Sequence, residues 1–123
     1  VILVDTSVWV HHLRKGDDHL AELLHAGEVA SHPFVIGELA CGGIRNREVF
    51  LALLSALPVL AKAEDAEVLD FIDHHRLMGR GLGLIDVHLL ASCMLAGAGL
   101  WTRDRRLAQA AARLGCADGS RAT

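Results

Sequence analysis

At 123 residues, 52% of them hydrophobic and 22% charged, the chain can fill a single core and is too apolar for a disordered segment. No apolar run nears the roughly 18 residues of a membrane span, and no leader-like pattern opens the chain, so a membrane protein is not expected. The net charge of −3 argues at first against a nucleic-acid partner.

The elements alternate along the chain. Val1-Ile2-Leu3-Val4 is a continuous apolar run that predicts a strand buried on both faces, with Asp5 at its carboxyl end. Thr6 to Leu13 reads as a helix. Asp17-Asp18 open a second, with Leu20, Leu23 and Leu24 on one face and Gly27 as its stop. Glu28 to Ser31 reads as a short strand. Pro33 then suits the first turn of a helix that carries Glu38 and breaks at Gly42-Gly43.

Arg47 to Leu57 is helical, with Phe50, Leu53, Leu54 and Leu57 spaced as a buried stripe. Pro58 to Leu60 predicts a minimal strand, and Asp65 to Arg76 a helix. Gly79 to Gly83 reads as a loop without the preceding strand or Lys-Ser/Thr ending of a phosphate-binding loop. Asp86 is expected to begin a helix that packs through Val87, Leu90, Ala91, Met94 and Leu95. Leu100-Trp101-Thr102 predicts the last strand, and Arg105 to Leu114 the last helix. Residues 1–123 are therefore expected to form one α/β domain, three-layered α/β/α with a short, mainly parallel sheet.

Cys41, Cys93 and Cys116 are odd in number and lack CxxC spacing, which points to reduced thiols in the cytoplasm rather than disulfides or zinc. The chain opens on Val1, which leaves residues ahead of it an open question.

Asp5, Glu38, Asp86 and Asp104 stand out. In parallel sheets ligands bind beyond the carboxyl ends of the strands, where Asp5 is placed. Asp5, Asp86 and Asp104 each precede a predicted helix, so each taken singly reads as an N-cap. Capping cannot explain Glu38, which lies inside a helix among Phe34, Val35, Ile36 and Leu39, with no Lys or Arg within a turn. If it faces the core it needs a partner. A hard cation such as Mg²⁺ or Mn²⁺, shared by four carboxylates, would provide one.

Setting four of the fifteen acids aside leaves eleven against twelve Lys and Arg, so the remaining surface is about neutral. All the bases but Lys15 and Lys62 are Arg, suited to bidentate phosphate contacts. Arg103, Arg105 and Arg106 flank Asp104 and are expected on the rim of a substrate groove.

Together, Val1 to Trp9, Val35-Ile36-Gly37-Glu38-Leu39, Leu84-Ile85-Asp86 and Leu100-Trp101-Thr102-Arg103-Asp104 resemble the PIN-domain ribonucleases. The resemblance is to the VapC-type toxins of toxin–antitoxin modules, in motif order, spacing and length. It implies a PIN-like nuclease domain and RNA cleaved with Mg²⁺ or Mn²⁺. It implies a homodimer and a cognate antitoxin that covers the active-site groove. By the same resemblance Asp5, Glu38, Asp86 and Asp104 are catalytic metal ligands, with Ser7 and Thr102 as supporting hydroxyls. Family members often carry an aromatic residue, and sometimes a further acid, after the last Asp. Arg105, Arg106 and Leu107 stand here instead, which argues against a fifth ligand and for a more basic rim.

Two other readings remain. One is a binding module of the same fold, catalytically silent, with a structural metal. The other makes Asp5 a phospho-acceptor, but Ser7 stands where a haloacid-type site needs its second Asp, and the late Lys of a receiver is missing. Among the eight His, the adjacent pairs His11-His12 and His74-His75 point in different directions and do not chelate one ion. His88, two residues past Asp86, is expected close enough to line the site but not to bind a metal. Trp9 and Trp101 are expected in core or interface packing rather than base stacking, and Cys93 in the core.

Overall fold

The strands are β1 (Ile2–Val4), β2 (Val29–Ala30) and β3 (Gly99–Trp101), and they pair in the order β2-β1-β3. The structure is a computed structural model and describes residues 1–118. Both pairings are parallel, with Leu3 opposite Ala30 on one side and Leu100 on the other. Leu3 and Val4 are both fully buried. Successive strand residues point to opposite faces, so the central strand is covered on both.

Seven helices among the described residues provide that cover: α1 (Thr6–Lys15), α2 (Asp18–His25), α3 (Pro33–Ala40), α4 (Arg47–Ala56), α5 (Asp65–His75), α6 (Leu84–Ala96) and α7 (Arg105–Leu114). The result is the three-layer α/β/α architecture, with a sheet that is parallel throughout. Pro58 to Leu60 does not form a strand of its own. Val59 makes a single parallel bridge with Ser31, through Ser31 N–H to the Pro58 carbonyl at 2.7 Å and Leu60 N–H to the Ser31 carbonyl at 2.9 Å.

Helix ends follow local chemistry. Asp17 caps α2 by accepting the Leu20 N–H at 3.0 Å. Gly16 ends α1 at φ +75°, a conformation that costs glycine little. In α6 every residue from Val87 to Cys93 is buried, nearly two turns, so this helix is enclosed on all sides. Met94 and Leu95, expected in its packing face, are exposed instead. Leu20 and Leu54 are core residues, whereas Leu53 lies on the surface of α4 at 63% exposure. Trp9 and Trp101 are buried, Trp9 edge-on to Phe50 at 5.7 Å and Trp101 edge-on to His19 at 5.2 Å.

Candidate functional site

Asp5 follows the central strand directly and is only 7% exposed. Its backbone N–H continues the ladder to the Trp101 carbonyl at 2.9 Å, which holds the ends of β1 and β3 side by side. One carboxylate oxygen, Oδ1, accepts the Thr6 N–H at 2.8 Å and caps α1. The other, Oδ2, accepts the hydroxyls of Ser7 at 2.8 Å and Thr102 at 2.7 Å. Those hydroxyls in turn accept backbone donors: Arg103 N–H to Ser7 Oγ and Asp104 N–H to Thr102 Oγ1, both at 3.0 Å. A short network thus joins Asp5 to the segment that carries Asp104, across 97 residues of chain.

Asp104 caps α7, its Oδ1 accepting the Arg106 and Leu107 N–H groups at 2.9 and 3.1 Å. Asp86 does not begin α6, contrary to expectation. The helix opens two residues earlier at Leu84, because Gly83 takes the cap position, and Asp86 reaches back to the Gly83 N–H at 3.0 Å. Burial pushes the Asp86 carboxyl above its ordinary range. The Gly83 N–H opposes that rise, and the charges of Asp5 and Asp104 add to it, so Asp86 lies within electrostatic reach of both.

Glu38 does not face the core. It is exposed: α3 turns Val35 and Leu39 into the core and leaves Glu38 at the border of that buried stripe. Its Oε1 accepts the Thr6 hydroxyl at 2.8 Å. Thr6 therefore touches two of the acids, Asp5 through its amide and Glu38 through its hydroxyl. Thr6 does not stand out in the sequence as a site residue, although its place in Asp5-Thr6-Ser7 offers the signal: a hydroxyl on the first turn after a buried Asp.

Beside Glu38 lies a groove of about 330 Å³ whose walls include Thr6, Val10, Leu39 and Ile44, with Arg14 and Arg45 at its edge. Arg106 lies over Gly81, close enough that a Cβ there would stand 2.5 Å from its Nη1. Arg103 lines a different cleft, with Trp101, Ala117 and Asp118. Arg47 is spent on the Ala40 carbonyl at the end of α3, at 2.8 Å. His88 is buried and packs edge-on against Phe34 at 4.7 Å.

The four carboxylates singled out in the sequence offer only oxygen donors, the kind that suits a hard divalent cation. The raised Asp86 carboxyl fits too, since a cation would relieve the repulsion behind part of that rise. The acids do not form a closed cage: among the described residues no three His, Cys, Asp or Glu side chains are grouped tightly enough to hold an ion.

Residues 2–113 match the PIN domain family. The chain is 50% identical to Ribonuclease VapC32 of Mycobacterium tuberculosis, in strains CDC 1551 / Oshkosh and ATCC 25618 / H37Rv alike, over 118 residues that make up 95% of each chain. Its fold is similar to the crystal structure of PAE2754 from Pyrobaculum aerophilum. That match has a TM-score of 0.63 at 21% identity and covers 89% of this chain and 83% of the other. The chain belongs to the PIN-domain family, among the VapC-type ribonuclease toxins.

Proposed function

We propose that the protein is an endoribonuclease dependent on Mg²⁺ or Mn²⁺, the toxin of a toxin–antitoxin pair, and that Asp5, Glu38, Asp86 and Asp104 are its catalytic metal ligands. The observation that carries this reading is the Asp5 carboxylate, nearly buried at the end of the central strand, held by three donors and within electrostatic reach of Asp86. A cation held by these acids would draw charge off the scissile phosphate and lower the pKa of the attacking water. Ser7 and Thr102 fix the orientation of Asp5, and Thr6 does the same for Glu38. The N-terminus of α7, capped by Asp104, favours phosphate approach, with Arg105 and Arg106 in its first turn and Arg103 just before the cap. The shared 50% identity with a ribonuclease supports RNA as substrate.

An antitoxin segment is the proposed inhibitor, seated on the groove that Glu38 shares with Val10, Leu39 and Ile44. A homodimer is proposed from exposed apolar residues, Val49 and Leu53 among them. No helix among the described residues is long and apolar enough to cross a membrane, and Cys41, Cys93 and Cys116 are free thiols. A cytoplasmic site of action goes with the toxin reading.

The test is incubation with total RNA and Mg²⁺ or Mn²⁺, with mapping of the new 5′ and 3′ ends. Cleavage should stop with EDTA and in Asp5→Asn. Cleavage that survives both would sink the proposal, and RNA bound but left intact would return the binding-module reading.

A further inference from the structure

Between the head of α3 and the middle of α6, a second polar chain is buried in the protein. His32, the residue before α3, is fully buried, and so is Ser92 on α6 at 1% exposure. His32 Nδ1 accepts the Phe34 N–H at 3.0 Å and caps α3. Its Nε2 lies 3.0 Å from Ser92 Oγ, and that hydroxyl donates to the Ala61 carbonyl at 2.7 Å.

The direction of every bond follows from its ends. A backbone N–H can only donate, so Nδ1 is the acceptor and the ring proton sits on Nε2. A carbonyl can only accept, so the Ser92 hydrogen goes to Ala61, and Ser92 Oγ takes the Nε2–H. The relay is neutral, one-way and satisfied at each link. A satisfied buried network of this kind holds its members in one arrangement.

Its position gives it a role. His32 heads α3, the helix that carries Glu38 six residues on, while Ser92 stands on α6, the helix that carries Asp86 six residues earlier. Phe34 adds a second tie between the same helices, edge-on to His88 at 4.7 Å. Glu38 is exposed and its carboxylate is oriented by Thr6 on α1, while the helix that carries it is tied to α6 through His32 and Phe34. We infer that the His32–Ser92 hydrogen bond is a positioning device that fixes the helix carrying Glu38 relative to the helix carrying Asp86. His32 and Ser92 touch no substrate; they act through Glu38 and Asp86. The inference rests on the proposed acid site, and cation binding tests it apart from cleavage.

The experiment compares wild type with His32→Asn, Ser92→Ala and the double variant. Asn keeps an acceptor for the Phe34 N–H but is too short to reach Ser92, so it separates capping from bridging. Mn²⁺ binding is read from the spectrum of the free ion, and cleavage as kcat and KM. A displacement of about 1 Å in a site can cost on the order of a hundredfold. Each single variant should therefore weaken Mn²⁺ binding and lower kcat by about tenfold or more, with KM for RNA nearly unchanged. The double variant should be no worse than the worse single variant, because one bond is being removed twice.

Folded single variants that bind Mn²⁺ like wild type would overturn the inference, as would additive losses in the double variant. If Ser92→Ala fails to fold, His32→Asn carries the comparison. In wild type, nitrogen-detected imidazole spectra must place the His32 proton on Nε2, and a proton on Nδ1 overturns the relay. If wild type binds Mn²⁺ but leaves RNA intact, the ribonuclease reading fails while the binding comparison still decides this one.

Discussion

Thr102 and Asp5 are 97 residues apart in sequence and joined by a 2.7 Å hydrogen bond at the ends of neighbouring parallel strands. The same hydroxyl accepts the Asp104 N–H, so one side chain orients one acid and anchors the loop of another. Thr102→Val keeps the shape and removes both bonds. Loss of an outer partner of a metal ligand typically costs about 10–100-fold, and that range is expected here for kcat and for cation affinity. The accompanying loss of stability should be about 1 kcal/mol, measured by denaturant titration.

Asp86→Asn should lower cleavage by more than the roughly 10–100-fold of an outer-partner loss, because it removes a proposed ligand itself. Stability should move the other way. The Asp86 carboxyl is raised in the fold, first by burial and then by Asp5 and Asp104. Its favourable contribution is therefore present at low pH and is lost as pH rises above the unfolded value of 3.8 toward the folded one. In EDTA the variant should match or exceed wild-type Tm at neutral pH and show a flatter dependence on pH. Melting curves from acid to neutral pH check this, and cleavage at near-wild-type rate would reduce Asp86 to a helix-end residue.

Acid should destabilise the protein through His32. Burial lowers its pKa to about 4, and the charges of His88 and Lys62 push the same way. A histidine held neutral in the fold makes its full contribution above the unfolded pKa of 6.5 and loses it as pH falls toward about 4. At about 1.36 kcal/mol per unit, the loss across that window is about 3 kcal/mol. His32→Asn should be less stable than wild type at pH 7 and should lack this part of the acid sensitivity. Equal slopes in the two proteins between pH 6.5 and 4 would refute the assignment.

The arginines around Asp104 should act on binding more than on chemistry. Arg105→Ala and Arg106→Ala should each raise KM more than they lower kcat. Removing one arginine–phosphate pairing should flatten the salt dependence by about 0.7 in log–log slope. Gly81→Ala gives an independent handle on Arg106. The added methyl meets the guanidinium at 2.5 Å, and the backbone there sits at φ +76°. A side chain in that conformation costs about 1–2 kcal/mol, and the displaced arginine should reproduce the binding loss of Arg106→Ala. Filter binding across a salt series decides it; wild-type affinity and slope in all three variants would leave the arginines as solvated surface.

Val49 and Leu53, at 64% and 63% exposure on α4, are the clearest test of self-association. Leu53→Glu should shift sedimentation toward the monomer without lowering Tm, since nothing is removed from the core. Unchanged sedimentation would move the interface to another face.

Much of the fold was legible because local rules and tertiary packing agree. The apolar run to Val4, the stripe of α7 through Leu107, Ala110 and Ala111, and the glycine stops each point to one conformation. Asp5 and Asp104 were legible for the same reason, as carboxylates at strand-to-helix junctions. The start of α6 was not, because Gly83 serves as its cap without a side chain and leaves Asp86 at the third position. Nor was the exposure of Glu38: an apolar helix shows which residues are hydrophobic but not which face the sheet will cover. Hydrogen bonds from Thr102 to Asp5, Thr6 to Glu38 and His32 to Ser92 join residues far apart in the chain. No spacing rule reaches across such distances. The sequence by itself determined the elements and the kinds of side chain at their ends; only the packing of those elements decided which of them meet.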